Sequence, residues 1–445
     1  MPSKSLNRRS FLTTTAAAAS SLLIGQSAKA KGHFVQTQDS DAATGLAAGD
    51  VELRVALVGC GGRGSGAAYQ ALSTSGKVRL VAMADAFPDR LEGTHSWLKE
   101  EYPDKVDVPE TRRFTGFEAY RKAIDCDVDV VVLATPPGFR PIHFEYAIDR
   151  GRHVFMEKPV AVDGPGIRRV LAAAAKAKAT GQKVGVGLQR HHQDNYIETV
   201  RRLQSGAIGD ITLLRCYWNS AGVWVRERKD DWNEMQYQMR NWYYFNWLCG
   251  DHITEQHIHN LDVCNWVMGG YPVRAQGQGG RLIRNGKDHG QIFDHHMVEY
   301  TYANGTKMLS QCRHMPDTKS EVNEYAHGTE GLANIGGAHI KGNDGSDWYY
   351  DKEYQNPYQK EHDDLFAAIR SGAAYCEADN GAYSTLTSIL GRMATYSGLE
   401  VSWEQALNSD LDLSPANYDW GAPPPVLPDE SGRYPVPIPG KTKAF

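Results

Sequence analysis

The chain has 445 residues, of which 41% are hydrophobic and 23% charged, and a formal charge of −5. At about 150 residues per domain, that length predicts two or three domains and a core large enough to need no disulfide or metal staple. The balance excludes wholesale disorder and a multi-span membrane protein, and a net-acidic body argues against non-specific binding to nucleic acid or anionic lipid.

The N-terminus has the layout of an export signal. Lys4, Arg8 and Arg9 precede Ser10-Phe11-Leu12, a weakly apolar run continues from Thr13 to Gly25, and Ala28-Lys29-Ala30 gives a small-x-small cleavage pattern. The run is too short and too rich in Thr and Ser to span a bilayer. The arginine pair resembles twin-arginine signals, whose machinery exports folded proteins. Residues 1–30 are therefore expected to be a removable leader, and the protein to be periplasmic or otherwise exported without membrane insertion. Losing the leader's four basic residues takes the charge from −5 to −9. The seven cysteines are scattered, odd in number and free of C-x-x-C spacing, which suits reduced core residues better than a disulfide scaffold. Residues 31–50 read as a polar linker.

From residue 51 the pattern becomes that of a dinucleotide-binding domain. Leu53 to Val58 is a β-rich run that ends in Gly59-Cys60-Gly61-Gly62-Arg63-Gly64. Glycine permits the tight turn, the approach of a pyrophosphate to backbone, and close packing of the following helix, whose N-terminus faces the phosphates. A second strand, Val78 to Ala84, ends in Asp85, 21 residues past Gly64. A carboxylate there can accept both ribose hydroxyls and would repel a 2′-phosphate, so NAD is favoured over NADP. An ordinary strand-end turn residue is the competing reading of Asp85. The apolar run Val128 to Ala134 suits a parallel strand buried on both faces, with Thr135-Pro136-Pro137 at its ligand-facing end. His143 begins a helix ending near Gly151, and the strand His153 to Met156 runs into Glu157-Lys158-Pro159. Residues 51–180 are assigned to this Rossmann domain.

At Glu157-Lys158-Pro159 the chain resembles the Gfo/Idh/MocA family of sugar and polyol oxidoreductases, which includes glucose–fructose oxidoreductase and inositol 2-dehydrogenase. The resemblance rests on the glycine loop, Ala134-Thr135-Pro136-Pro137, His143, the Glu-Lys-Pro strand end, and a later acid-x-x-x-His-x-x-Asp element, and it covers residues 51 to about 400. It implies an α/β fold: an N-terminal Rossmann domain followed by a C-terminal α+β domain with an open, largely antiparallel sheet, often used for homo-oligomerisation. Residues 181–420 are assigned to that second domain. Val184 to Leu188 reads as its first strand and Tyr196 to Gln204 as a helix. Further strands fall at Ile211 to Trp218, Arg274 to Gly279, Met297 to Tyr302 and Thr306 to Cys312, the last two joined by the turn Asn304-Gly305. Glu361 to Ser371 and Gly381 to Tyr396 close the domain as helices. Residues 421–445 hold seven prolines and are expected to lie extended over the body or over a neighbouring subunit.

The resemblance implies Gly59, Gly61, Gly62, Arg63, Gly64, Asp85, Thr135, Pro136, His143, Glu157 and Lys158 as cofactor-binding positions. Lys158, at a strand end beside the cofactor, can also hold the hydroxyl oxygen that becomes a carbonyl. On a continuous helix Glu255, His259 and Asp262 lie at i, i+4 and i+7 and share one face. His259 matches the family's catalytic histidine and suits a general base. Glu255 stands where the family has Asp, one methylene longer, so it either contacts substrate or orients His259. Asp262 and Arg190 are expected near substrate, Asp262 with a supporting role, and His191-His192 and His295-His296 either line the cleft or are satisfied elsewhere. His252, His257 and His259 do not share one helical face and have no thiolate pair beside them, so no metal is expected.

Between Tyr217 and Trp247 lie five of the chain's ten tryptophans, interleaved with charged residues. That composition suits either a sugar-stacking wall including Trp242 and Tyr243, or a lid or subunit interface packed on the body. The expected activity is hydride transfer between NAD(P), tightly bound because little soluble nicotinamide is available outside the inner membrane, and a sugar, polyol or sugar derivative. A redox-assisted NAD-dependent glycoside hydrolase and a non-catalytic carbohydrate-binding protein that retains a nucleotide are the alternatives.

Overall fold

The computed structural model describes residues 51–445, so the expected leader and linker lie outside the described residues. The first half alternates strand and helix: β1 (Leu53–Val58), α1 (Gly62–Ser73), β2 (Val78–Asp85), α2 (Pro88–Glu101), β3 (Arg113–Thr115), α3 (Ala119–Ile124), β4 (Val130–Leu133), α4 (Arg140–Asp149), β5 (His153–Met156), α5 (Gly164–Thr180) and β6 (Val184–Val186). The strands form one parallel sheet in the order β3-β2-β1-β4-β5-β6. This is the doubly wound order, whose direction reverses between β1 and β4; a ligand crevice opens outside the strand ends at that point. Every residue of β4 is buried, as expected for a parallel strand covered by helices on both faces. In α5, Asp163 accepts from the Gly166 N–H at 2.8 Å, and Gly181 ends the helix at φ 77°.

Strand β6 corrects one expectation. Val184–Val186 pairs in parallel with Val154–Met156, so it completes the first sheet and does not open the second domain. A three-residue apolar strand has no sequence mark of which sheet it joins; the β5 edge beside it decides.

The second half begins with α6 (Asp194–Gln204) and β7 (Ile211–Ser220), then passes through α7 (Glu234–Arg240), α8 (Asn246–Cys249), α9 (His252–Glu255) and α10 (Ile258–Met268). Strands β8 (Arg274–Gly280), β9 (His295–Thr301), β10 (Lys307–His314), β11 (Glu321–Gly328), β12 (Gly331–Asn334), β13 (His339–Gly342) and β14 (Asp347–Tyr349) follow, then α11 (Pro357–Ser371), α12 (Ala378–Ser397), β15 (Val401–Ser402) and α13 (Trp403–Leu407). Nine strands make one open sheet in the order β14-β13-β12-β11-β7-β10-β9-β8-β15. Only β7 and β10 pair in parallel, Leu213–Ser220 against Lys307–His314; the other neighbours are antiparallel. The predicted turn at Asn304-Gly305 joins β9 to β10, with Gly305 at φ 88°.

Helix α12 joins the two halves and is buried along most of its length. Its Arg392 donates to the Val162 carbonyl of the first half at 2.6 Å and to the Gly250 carbonyl of the second at 3.0 Å. The proline-rich tail is irregular and lies over the body. Gln238 donates to the Val426 carbonyl at 2.7 Å, Gly440 N–H to the Ser397 carbonyl at 2.7 Å, and Tyr434 and Ala444 are buried. All seven cysteines are free, five of them buried.

Candidate active site

The loop after β1 builds the cofactor end from backbone. Gly59 takes φ +99°, and a Cβ there would meet the Thr135 backbone nitrogen at 2.5 Å. A Cβ on Gly64 would lie 1.8 Å from the Gly59 carbonyl, so this glycine is required for helix α1 to pack on the strand. Gly61 and Gly62 instead face open space. The α1 N-terminus has no side-chain cap and no acid in its first turn, leaving its backbone N–H groups and partial positive charge for an anion. At the end of β2, the Asp85 carboxylate accepts the Cys60 N–H at 2.6 Å and the Phe87 N–H at 2.8 Å. Burial raises its pKa, and those two N–H donors work against the rise. These groups fit a dinucleotide: a backbone cradle for the diphosphate and a fixed carboxylate for a ribose. Arg90 also lines the cleft close to Asp85.

Beyond the loop, a cleft of about 670 Å³ runs between the halves, within the range of small-ligand sites. Its floor is the strand ends. Arg140, fully buried on α4, donates to the Thr135 carbonyl at 2.7 Å and the Glu157 carbonyl at 3.0 Å, tying β4 to β5. Burial lowers its guanidinium pKa to about 10, against the opposing charge of Glu157. His143 contacts the Thr135 hydroxyl at 3.2 Å and stacks on Tyr120, and burial holds it well below the ordinary histidine pKa. Arg63 pairs with Glu157 and with Glu361, the latter at 2.9 Å.

Lys158 lies two residues beyond the end of β5, just before a cis peptide bond to Pro159. Its Nζ donates to the Glu255 carbonyl at 2.5 Å and to Glu255 Oε1 at 3.3 Å. Glu255 and His259 both reach the cleft, but not on a continuous helix: the chain breaks at Gln256-His257, between α9 and α10. His259 stacks parallel to Trp218, with ring centres 6.1 Å apart. Its Nδ1 is buried without a partner among the described residues. Burial, followed by the cations Lys158, Arg190 and Arg63, holds His259 well below its ordinary pKa, so the ring is neutral. Burial also raises Glu255, while Lys158 opposes the rise.

Residues 53–188 match the model of the oxidoreductase family with an NAD-binding Rossmann fold, and residues 196–334 match the Gfo/Idh/MocA C-terminal domain. Together these two models of one family span well over half of the chain. It belongs to the Gfo/Idh/MocA family. Among its relatives, inositol 2-dehydrogenase of Ralstonia nicotianae is 27% identical over 281 residues, 61% of this chain and 71% of the relative. Inositol 2-dehydrogenase of Rhizobium meliloti is 24% identical over 348 residues, 75% and 94% of the two chains. The fold is that of aldose–aldose oxidoreductase from Caulobacter crescentus, with a TM-score of 0.62, 18% identity, and coverage of 79% of this chain and 100% of that one. Scyllo-inositol dehydrogenase from Lactobacillus casei, with bound NAD(H) and scyllo-inositol, gives a TM-score of 0.59 at 19% identity, covering 80% and 100%. The chain is an NAD(P)-dependent oxidoreductase of this family.

Most of the residues expected of a Gfo/Idh/MocA site do line the cleft: Gly59, Gly61, Gly62, Arg63, Asp85, Thr135, Pro136, His143, Glu157, Lys158, Trp242, Glu255 and His259. Four do not. Gly64 packs under Gly59. Arg190 turns away to pair with Glu324, which is fully buried on β11. Tyr243 is buried and stacks on His314 at 5.9 Å. Asp262 accepts from Ser384 at 2.6 Å, contacts His191 at 2.7 Å, and so ties α10 to α12. The break before α10 puts Glu255 on a different helix from His259 and Asp262.

The aromatic segment divides between its two readings. Trp218, Trp224 and Trp242 line the cleft, whereas Tyr237, Tyr243, Tyr244, Phe245 and Trp247 form a satellite core on which Tyr418, Trp420 and the tail residue Tyr434 pack. Arg140, Gln189, Arg226 and Gln256 line the cleft without having been predicted; of these, Gln256 stood between two expected residues. Among the described residues, one cluster offers metal-ligand side chains: Asp251, His252 and His296. It is sealed behind α9, and Asp251 already accepts from His252 Nδ1 at 2.8 Å, Phe293 N–H at 2.9 Å and Tyr396 hydroxyl at 2.5 Å.

Proposed function

We propose that the protein oxidises a secondary hydroxyl of a sugar, cyclic polyol or sugar derivative, with NAD bound along the glycine loop. One observation carries this reading: Lys158 and His259 line the same cleft as the glycine loop, with His259 stacked on Trp218 and the Lys158 charge felt at its ring. Bound in the cradle, NAD supplies the hydride acceptor. Lys158 holds the substrate oxygen and stabilises its developing negative charge. His259, kept neutral by burial and cations, accepts the hydroxyl proton at Nε2. Glu255 orients the Lys158 ammonium through its carboxylate and its own carbonyl. The tryptophans stack on ring faces and exclude water. The inositol dehydrogenase relatives support a polyol substrate, and the fixed Asp85 carboxylate supports NAD over NADP.

The proposal extends to export: the leader carries the folded protein across the inner membrane with its nucleotide already bound. A clasp across the cleft supports retention. Arg240 of the second half pairs with Asp89 of α2 through two 2.7 Å contacts and lies 3.8 Å over the Phe87 ring, while Trp420, just before the tail, packs on Phe87 and Phe117. The test is to purify the exported form, identify any released nucleotide by mass spectrometry, and screen sugars, inositols and aryl glycosides for absorbance change in the NADH band. Nucleotide-dependent oxidation of a polyol is expected. Release of an aglycone without net NADH would replace dehydrogenation with redox-neutral hydrolysis, and absence of any bound or bindable nucleotide would overturn both.

A further inference from the structure

Gln256, half-buried at the break between α9 and α10, ends a polar chain that begins outside the cleft. Arg284, itself buried, donates through Nη2 to His314 Nδ1 at 2.7 Å. A guanidinium has no acceptor, so Nδ1 is the nitrogen without a proton and Nε2 carries it. His314 Nε2 lies 2.7 Å from the Gln256 side-chain amide and so must donate to its oxygen. The amide NH2 group is thereby left without a partner among the described residues, on a residue that lines the cleft. The chain is held rigidly. The His314 ring is fully buried between Tyr243, at 5.9 Å, and His252, at 4.5 Å, and Gly222 lies so close to Arg284 that a Cβ would sit 2.6 Å from Nη2. Burial holds His314 well below the ordinary histidine pKa, and Arg284 and His252 reinforce this, so the tautomer persists at neutral pH.

We propose that Gln256 is a specificity-determining residue whose amide NH2 donates to a second oxygen of the substrate, beyond the one held by Lys158 and His259, and that His314 and Arg284 are positioning residues that fix this polarity. The assignment rests on the polyol reading above and deepens it. The site discriminates by requiring a second acceptor oxygen one residue away from the Lys158–Glu255 pair, so a simple secondary alcohol, or a polyol lacking that oxygen, leaves a fixed donor unpaired. Losing such a contact costs roughly ten- to a hundred-fold.

The experiment uses the full chain with its nucleotide and compares a polyol that the wild type oxidises with the set of its mono-deoxy analogues. One deoxy position is expected to lower kcat/KM at least ten-fold more than the others. In Gln256→Met, kcat/KM for the polyol and for that analogue should come within about two-fold of each other. Gln256→Glu keeps the length but presents an acceptor, and should not restore the preference. His314→Phe keeps the stacking on Tyr243 and should shrink the same penalty, with no further effect in a Gln256→Met background. Nucleotide content and melting temperature report folding, and Gln256→Asn substitutes if Gln256→Met does not fold. An undiminished deoxy penalty in the Gln256 variants overturns the assignment alone, as does an equal, additive effect of His314→Phe in the double variant. A wild-type protein that carries nucleotide but oxidises no polyol overturns the polyol reading and this assignment together.

Discussion

The two ends of the cleft are made of different material. The cofactor end is backbone: an uncapped helix start, two glycines facing open space, two more that pack against carbonyls, and one carboxylate fixed by two backbone N–H groups. The substrate end is side chain: a lysine on a glutamate, a neutral histidine on a tryptophan, and an amide held by a buried histidine. A backbone site can be damaged only by atoms that should not be there, whereas a side-chain site is damaged by removing one. Substitutions at the two ends should therefore fail differently.

The largest effect is expected at the substrate end. Lys158→Ala removes the cation that meets the developing oxyanion and should lower kcat/KM by about 10² to 10³, while nucleotide content and melting temperature stay near wild type. The residual activity carries a second signature. Lys158 is one of the cations that lower the His259 pKa, so its removal should move the acid limb of the pH–rate profile upward. A Lys158→Ala protein that has lost its nucleotide would show that the two ends are not separable.

The cofactor end should break by addition. Gly64→Ala places a Cβ 1.8 Å from the Gly59 carbonyl and should cost roughly 1–3 kcal/mol of stability, together with nucleotide binding. Gly61→Ala meets nothing in the protein. It should leave the melting temperature of the nucleotide-free protein unchanged and still weaken nucleotide affinity, because the methyl group occupies the diphosphate's approach. Equal melting losses for the two alanines would erase the distinction between a packing glycine and a cradle glycine.

This difference in material also decided what could be read from sequence. The glycine loop, Asp85 and Glu-Lys-Pro are contiguous, because one turn or one strand end creates each of them. Gln256, Arg284 and His314 converge from a helix break, a loop and a strand, and no local pattern marks them. The i, i+4, i+7 face expected for Glu255, His259 and Asp262 requires an unbroken helix, and the break at Gln256-His257 leaves Glu255 on α9, while Asp262 takes its supporting role against Ser384 and His191. Strands β11 to β14 were not anticipated: β12, β13 and β14 have only three or four residues each, and β11 carries charged and polar residues along much of its length. The aromatic segment was legible in composition, but the tail that packs on it lies some 180 residues away in the chain, which composition cannot reveal.

Stability against pH should distinguish buried neutral histidines from a buried charged one. His143, His259, His314 and His362 are all held well below the ordinary value by burial. Below about pH 6.5 the unfolded chain binds protons that these folded sites refuse, so stability should fall with acid. His192 is the opposite case. Glu377 and Asp364 outweigh its burial and raise it to about 10. Its stabilising contribution is complete below about pH 6.5 and is lost as pH rises through about 10. Thermal melts across pH should show a neutral plateau, and His192→Gln should flatten the alkaline side.

The smallest expected effect tests whether the two ends are held together by the clasp. Arg240 and Asp89 make two parallel 2.7 Å contacts, but Asp89 is 57% exposed, so solvent screens the pair. Exposed pairs are worth about 0.2–1 kcal/mol, and stacking over Phe87 adds a comparable amount at a partly exposed site. Arg240→Ala should therefore speed nucleotide release by no more than roughly ten-fold and leave kcat on a bound substrate unaltered. Arg240→Lys keeps the charge but loses the bidentate fork, and should recover only part of the retention. Nucleotide content after extended dialysis reads this directly. If both variants retain nucleotide as the wild type does, then the backbone cradle and the Trp420 packing hold the cofactor, and the Arg240 contact merely follows from the closed arrangement.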